Sequence, residues 1–437
     1  MTADLQLVRD EVPRATTYVP LLDAAAVLPT HGTESCRGLT PHDLATHRDA
    51  FGARPSFLGA RGAELVEELE RVALTGRGGG HFPAAAKWRS ILAAGVAQTV
   101  VANGAEGEPG CAKDAVLLQT RPHLVLDGLV AAIETVGARE GVVWIHDGAD
   151  ATARAVARAL AERAATGAGD PSIRVVVAPD RYLSGEATGI IRTLEGGPTL
   201  PRFVRDPARP WSEGRSPVLV QNVETLARVG QVALLGAAAY RPTSLLTVVS
   251  GTHRVVVEAG AEWSFGDVVD HAWTSPDGHE PQAVLLGGYG GSWVAWHRLR
   301  SMPVDPAALR NEGLSIGAGL VGPLPASACG VEEAARLTRY LASQSARQCG
   351  PCVFGLAAVA ELASDLTSGR LGRSGRKRLD RFMDEVSGRG ACRHPDGALR
   401  MLASALDVFS HDVHRHRRGR SCDAPTHSVL PLPEEEQ

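Results

Sequence analysis

Apolar stripes at 3–4 spacing alternate with short continuous apolar runs between about residues 60 and 240. Glu64 to Leu74 has the helical period, Gln98 to Ala102 is a short β-type run, and Pro122 to Gly137 predicts a helix. Gly141 to Ile145 then predicts a strand, Ala151 to Ala165 a helix, Ile173 to Ala178 a strand and Tyr182 to Glu195 another helix. Such alternation implies parallel strands joined by helical crossovers, an α/β domain over 61–240. Ligands in these sheets sit beyond the carboxyl ends of the strands. Two polar loops fall there, one from Asn103 to Gly110 and one from Tyr182 to Thr188.

The pattern changes on either side. Residues 1–60 lack periodicity and are expected to wrap the next domain as loops and short helices. Leu245 to Ser250 and Arg254 to Glu258 are β-rich, Phe265 to Ala272 predicts a short helix, and Ala283 to Gly287 a strand into a glycine turn. That order fits a small β-grasp domain over 244–325 serving as a spacer or docking surface. From 330 to 418 apolar residues recur at helical spacing in four segments, marked by Leu337, Val359, Met383 and Leu402, which predicts an antiparallel four-helix bundle. Cys349 and Cys352 lie between its first two helices and Cys392 between its last two, junctions that share one end of an up-down bundle. Three thiols thus converge as a metal or iron–sulfur site requires. Residues 419–437, rich in Pro and Glu, are expected to be disordered.

A length of 437 residues implies two to four domains. A net charge of -4 gives no case for a nucleic-acid partner, and no apolar run reaches the ~20 residues of a membrane span. Seven cysteines, an odd number, argue against a disulfide framework and for a reducing cytoplasm.

The densest chemistry lies from Thr75 to Trp88. Gly76, Gly78, Gly79 and Gly80 let the backbone approach a ligand closely, and Pro83 opens a helix through Lys87. A glycine loop feeding a helix N-terminus is a seat for phosphate. A helix, not a strand, precedes it, so this is not the dinucleotide fingerprint. Only Lys87, Lys113 and Lys377 interrupt the chain's use of Arg, which marks Lys87 as a candidate phosphate partner.

Glycine loop, acidic loop, β-grasp and cysteine bundle in this order resemble the NADH-binding flavoprotein subunit of respiratory complex I, a family that includes flavoprotein parts of NAD-linked hydrogenases and formate dehydrogenases. The resemblance spans about residues 60–418. It implies a Rossmann-like FMN-binding domain, a β-grasp of the SLBB type and a helical iron–sulfur bundle. It also implies a nicotinamide nucleotide, NAD(H) or NADP(H), stacked on FMN, and a [4Fe–4S] cluster passing single electrons to a partner. Gly76, Arg77, Gly78, Gly79, Phe82 and Lys87 match the family's glycine loop, with Phe82 against the nucleotide. Asn103, Glu106, Glu108, Lys113 and Asp114 match its next motif, Glu106 and Glu108 being the catalytic candidates. Tyr182, Gly185, Glu186 and Thr188 match the third; Asn222 and Thr225 match the fourth, which would hold the FMN phosphate end. The implied metal ligands are Cys349, Cys352 and Cys392.

The departures are specific. Family carboxylates are replaced by Ala105 and Ala187, a glycine by His81, an aromatic by Ser90, and one cluster cysteine by Ala346. A cluster on three thiols would be labile, or a [3Fe–4S] form. Cys329 and Cys422 are the remaining substitutes to consider, although neither matches the family position. The implied partner is a ferredoxin-like or thioredoxin-fold iron–sulfur protein within a larger redox complex, in the cytoplasm or held through a partner at the inner face of the membrane. The competing reading, favoured by the missing thiol and carboxylates, is an assembly subunit with degenerate cofactor sites.

Overall fold

Val- and Ile-rich strands form the first sheet. The computed structural model describes residues 21–22, 26–29, 37, 39–95, 97–167, 169–204, 217–420, 424 and 428–433. The chain opens with β1 (Ala26–Pro29), α1 (Leu44–Phe51), α2 (Ala60–Arg71) and α3 (Ala84–Ala93). It continues through β2 (Thr99–Asn103), α4 (Lys113–Thr120), α5 (Pro122–Val136), β3 (Glu140–His146) and α6 (Asp150–Ala165). β4 (Ser172–Ala178), α7 (Ala187–Leu194), β5 (Val218–Asn222) and α8 (Val223–Leu235) complete the α/β unit. Its strands lie in the order β4-β3-β2-β5, all parallel. Parallel sheets are covered on both faces, and Val100, Val101 and Ala102 of β2 are fully buried. Helices α5 and α8 pack closely because Gly128 has no side chain: a Cβ there would meet the Leu226 carbonyl oxygen at 1.8 Å.

β5 pairs on the opposite side of β2 from β3, with Asn103 beside Asn222. Strand order therefore reverses between β2 and β5, where open α/β sheets leave a crevice for ligands. The hydrophobic pattern does not mark β5 and α8, whose residues are almost all buried, so no polar face sets a period.

The second unit comprises β6 (Thr243–Ser250), β7 (His253–Gly260), α9 (Phe265–Ala272), β8 (Ala283–Leu286), β9 (Ser292–Ala295), α10 (Trp296–Leu299), α11 (Pro306–Asn311) and β10 (Leu320–Leu324). With β1 they form a mixed sheet, β1-β7-β6-β10-β8-β9, in which only β6 and β10 run parallel. The 1–60 segment therefore reaches past the neighbouring domain, since β1 covers the free edge of β7.

The third unit is helical: α12 (Gly330–Ser343), a turn at Pro351–Gly355, α13 (Leu356–Thr367), α14 (Gly372–Val386), α15 (His394–Val408) and α16 (Ser410–His416). The fourth expected helix ends at Phe409, whose ring lies against Gly330, and α16 follows as a separate turn.

Two expectations are corrected. Over Tyr182–Glu195 the helix begins only at Ala187, because the Glu186 side chain caps it by accepting from Gly189 N at 3.0 Å. Disorder over 419–437 does not hold for 428–433. Leu430 is 1% exposed and donates its N–H to Glu333 Oε1 at 2.8 Å; Arg336 donates to its carbonyl, and the Tyr289 hydroxyl to that of Pro431. Backbone groups make most of this docking, which Pro/Glu-rich composition conceals.

Candidate functional site

The crevice at the strand-order reversal contains a cavity of about 280 Å³. Asn103 and Asn222 end their strands at its floor, and Gly78 lies against Asn222, where a Cβ would come within 3.4 Å of the Asn222 Cβ. Asn222 accepts from Glu224 N at 2.9 Å and donates to Asp114 Oδ2 at 2.5 Å. Asn103 donates to the Gly185 carbonyl at 2.9 Å, which joins the two polar loops. Glycine is required at both seams: a Cβ on Gly185 would meet the Ala105 carbonyl at 2.6 Å, and one on Gly107 the Tyr182 carbonyl at 2.2 Å.

Charge is concentrated beneath this floor. Lys113 Nζ lies 2.6 Å from Asp114 and 3.1 Å from Glu224. Glu106 accepts from Asp114 N and Ala115 N, both at 3.2 Å, and so caps α4. Burial first, and the Asp114 charge second, push Glu106 up to about 7. Glu108 accepts from the Tyr182 hydroxyl at 2.7 Å and from Tyr289 N at 2.8 Å; burial outweighs both and raises its carboxyl to about 7. Both candidate carboxylates therefore titrate near neutrality, where a group can hold or release a proton.

Arg77 is 5% exposed. Its backbone N–H donates to Thr225 Oγ1 at 2.8 Å and its Nη1 to Ser244 Oγ at 2.8 Å. Arg77 lines the cavity, and its Nε is buried without a partner among the described residues. Lys87 stands elsewhere. Its ammonium lies in the core, 2.5 Å from the Val220 carbonyl, with burial lowering it to about 8, and it is not among the residues lining the cavity. Gly76, Phe82, Glu186 and Thr225 also stand behind or beside the lining, whereas Arg77, Gly78, Gly79, Asn103, Glu106, Glu108, Tyr182, Gly185 and Asn222 form part of it. Sequence pattern alone does not reveal the opposite wall, Gly287, Gly290, Gly317 and Gly397. Its one signal is the run Gly287-Gly288-Tyr289-Gly290-Gly291, which by itself predicts only a turn. These bare walls and the Arg77 side chain in the lining fit a flat, phosphorylated group such as FMN.

His81, where the resemblance implies a glycine, has φ 44 and a ring whose two nitrogens are buried without partners among the described residues. Burial, then the Arg77 charge, lower it to about 4. A left-handed conformation costs a non-glycine residue about 1–2 kcal/mol. His81→Gly is expected to stabilise the fold by about 1 kcal/mol at pH 7, partly offset by glycine's own entropy. A depressed histidine keeps its stability above pH 6.5 and loses it as pH falls toward 4, so the gain should widen at pH 5. Urea midpoints at both pH values check this; parallel curves for the two proteins would contradict it.

The two cysteine segments approach each other. Cys349 and Cys352 are close enough to interact, and burial pushes Cys352 up to about 11 and Cys392 to about 12. Ala391 N donates toward Cys349 Sγ at 3.5 Å, and the buried Ser345 hydroxyl lies beside Cys352. This donor set fits a cluster on three thiolates. Cys329 cannot complete it: it precedes α12, whereas Cys349 follows the other end, about 21 Å away at 1.5 Å per residue. Cys422 lies outside the described residues. Arg393 and His394, the two residues after Cys392, line the cavity.

Residues 69–231 match the family described as the Nuo51 FMN-binding domain, and residues 332–416 the NADH-ubiquinone oxidoreductase-F iron–sulfur binding region. The chain is 28% identical over 381 residues to a NADH-quinone oxidoreductase subunit of Rhizobium meliloti (strain 1021), covering 82% of this chain and 90% of that protein. It is 28% identical over 388 residues to a NADH-quinone oxidoreductase subunit of Escherichia coli (strain K12), covering 82% and 85%. It is 25% identical over 390 residues to the NADP-reducing hydrogenase subunit HndC of Solidesulfovibrio fructosivorans, covering 84% and 79%. The fold is also that of a chain of an NAD+-reducing [NiFe]-hydrogenase solved in the H2-reduced state, with TM-score 0.70 and 23% identity over 81% of this chain; this chain spans 62% of that one.

Proposed function

We infer that this chain, a divergent relative of the flavoprotein subunits of NADH-quinone oxidoreductase, passes electrons between a nicotinamide nucleotide and a protein carrier through FMN and an iron–sulfur cluster. One observation carries the reading. The cavity that fits FMN borders the cysteine segment: its lining residues Arg393 and His394 follow Cys392 in sequence. FMN, when bound, takes a hydride's two electrons together and gives them up singly.

The chain's own residues would do the rest. Gly78 and Gly79 give close backbone approach, and Arg77, in place of Lys87, supplies positive charge beside the phosphate. Asn222 would help hold the phosphate end, Asn103 lines the same floor, and Glu108 on Tyr182 holds a proton in the lining. Cys349, Cys352 and Cys392 would hold the cluster. Next to them Phe354 is 75% and Val353 42% exposed, an apolar patch suited to docking a ferredoxin-like or thioredoxin-fold carrier. In this reading 61–240 is the FMN domain, 244–325 a β-grasp of the SLBB type and 330–418 the iron–sulfur bundle. No single helix among the described residues is long and apolar enough to cross a membrane.

The expected result is a flavin absorbance band in anaerobically purified protein that bleaches with NADH and NADPH at rates within about tenfold of each other. Ala187, at the start of α7, leaves out a carboxylate that would repel a 2′-phosphate by on the order of 1–2 kcal/mol. Ala187→Glu should therefore restore preference for NADH by about tenfold or more. Bleaching by neither nucleotide would sink the NAD-linked reading. Absence of both flavin and iron after reconstitution would favour the assembly subunit, the reading that Ala346 supports.

A further inference from the structure

At the end of α12 remote from the cluster cysteines, Cys329, Glu332 and His416 bring a thiol, a carboxylate and an imidazole together, their ligand atoms all within 4.8 Å of one another. We propose that these three residues form a second metal site, for a divalent ion of borderline softness, zinc.

The ligands come from two distant parts of the chain. Cys329 is the residue before α12, Glu332 lies three residues on in its first turn and on the same face, and His416 ends α16. Cys329 is 3% and His416 1% exposed, so the soft donors are held inside while the carboxylate stands nearer solvent.

The histidine is already set for coordination. Its Nδ1 lies 2.9 Å from the Thr367 carbonyl. A carbonyl only accepts, so the proton sits on Nδ1, and the Nε2 lone pair points toward Cys329 Sγ, 3.4 Å away. Backbone carbonyls orient metal-binding imidazoles in the same way. A tetrahedral zinc with bonds of about 2.3 Å to sulfur and 2.0 Å to nitrogen holds those two atoms about 3.5 Å apart. The observed separation is that of two ligands flanking one ion. Thiolate and imidazole disfavour magnesium and calcium, and a carboxylate disfavours cuprous ion, which leaves zinc as the match for a mixed S, N, O set. Water would fill the fourth position on the solvent side. The ion would tie the start of α12 to the end of α16, a structural role separate from electron transfer.

Zinc K-edge absorption reads this site without interference from iron. The full chain, loaded with one equivalent of zinc chloride and gel-filtered, is expected to retain about one zinc with one sulfur among its ligands. Cys329→Ser and His416→Gln should abolish retention, and the milder Glu332→Gln should weaken affinity by roughly tenfold or more. Cys349→Ser should leave zinc unchanged. No retained zinc in a protein with native circular dichroism overturns the proposal, and the distance then belongs to a thiol–imidazole hydrogen bond. A zinc spectrum with three sulfur ligands overturns it equally, because the ion would then lie among Cys349, Cys352 and Cys392.

Discussion

Lys113→Ala is expected to lower the stability of the folded chain by about 3–5 kcal/mol, the usual cost of removing one partner from a buried ion pair. The side chain is 3% exposed, with Asp114 at 2.6 Å and Glu224 at 3.1 Å, and Glu106 close enough to add to the field. Burial opposes the ammonium, but these carboxylates outweigh it and hold its pKa well above the usual lysine range. Burial likewise opposes the Glu224 charge, and Lys113, then Arg77 and Arg228, overcome it and keep its pKa low. Without Lys113 the carboxyls of Asp114 and Glu224 should take up protons more readily when folded. Groups with raised folded pKa lose stability as pH rises, so the variant's deficit should grow from pH 5 to pH 8. Guanidinium titrations at the two pH values measure it. A loss below about 1 kcal/mol, the scale of a surface pair, would show that water reaches this network.

Ala346→Cys should change the metal centre more than any other single substitution. Three thiolates leave one corner of a cubane without a cysteine, so the native protein should lose an iron on oxidation and give a [3Fe–4S] paramagnetic signal. The variant should hold about four irons and no longer give that signal after oxidation. Arg347, one residue on, has φ 52, which marks a tight turn beside that position. Ser345, whose hydroxyl is buried beside Cys352, offers an oxygen for the open corner. Ser345→Ala in the native background should therefore increase iron loss. If neither form binds iron after anaerobic reconstitution, these thiols are buried structural residues.

Much of this site is legible in the sequence because its demands are local. Glycines at Gly107 and Gly185 are dictated by backbone contacts, and such contacts leave their mark in residue type. The three cysteines can be placed together because short connections fix which helix junctions share an end. Lys87 misleads for a physical reason. Sequence shows that an ammonium is present but not whether it faces a cavity or a strand's carbonyl, and here Val220 takes it. Arg77, one of many arginines, carries no signal of its unsatisfied Nε. The helix α8 and strand β5 are invisible to periodicity because burial on all sides leaves no polar face. Cys329 and His416 lie 87 residues apart, a separation no motif spans.

β1 has a consequence for synthesis. Ala26 pairs with Val256, about 230 residues later, across the whole α/β unit. At about 5–20 residues per second a ribosome needs roughly 10–50 s to make that stretch. Throughout it the first strand has no edge to join, while β2 to β5 and their helices can already assemble. A stalled chain ending near residue 240 should therefore protect the first sheet from protease and leave β1 open to cleavage. One ending beyond residue 330 should protect both.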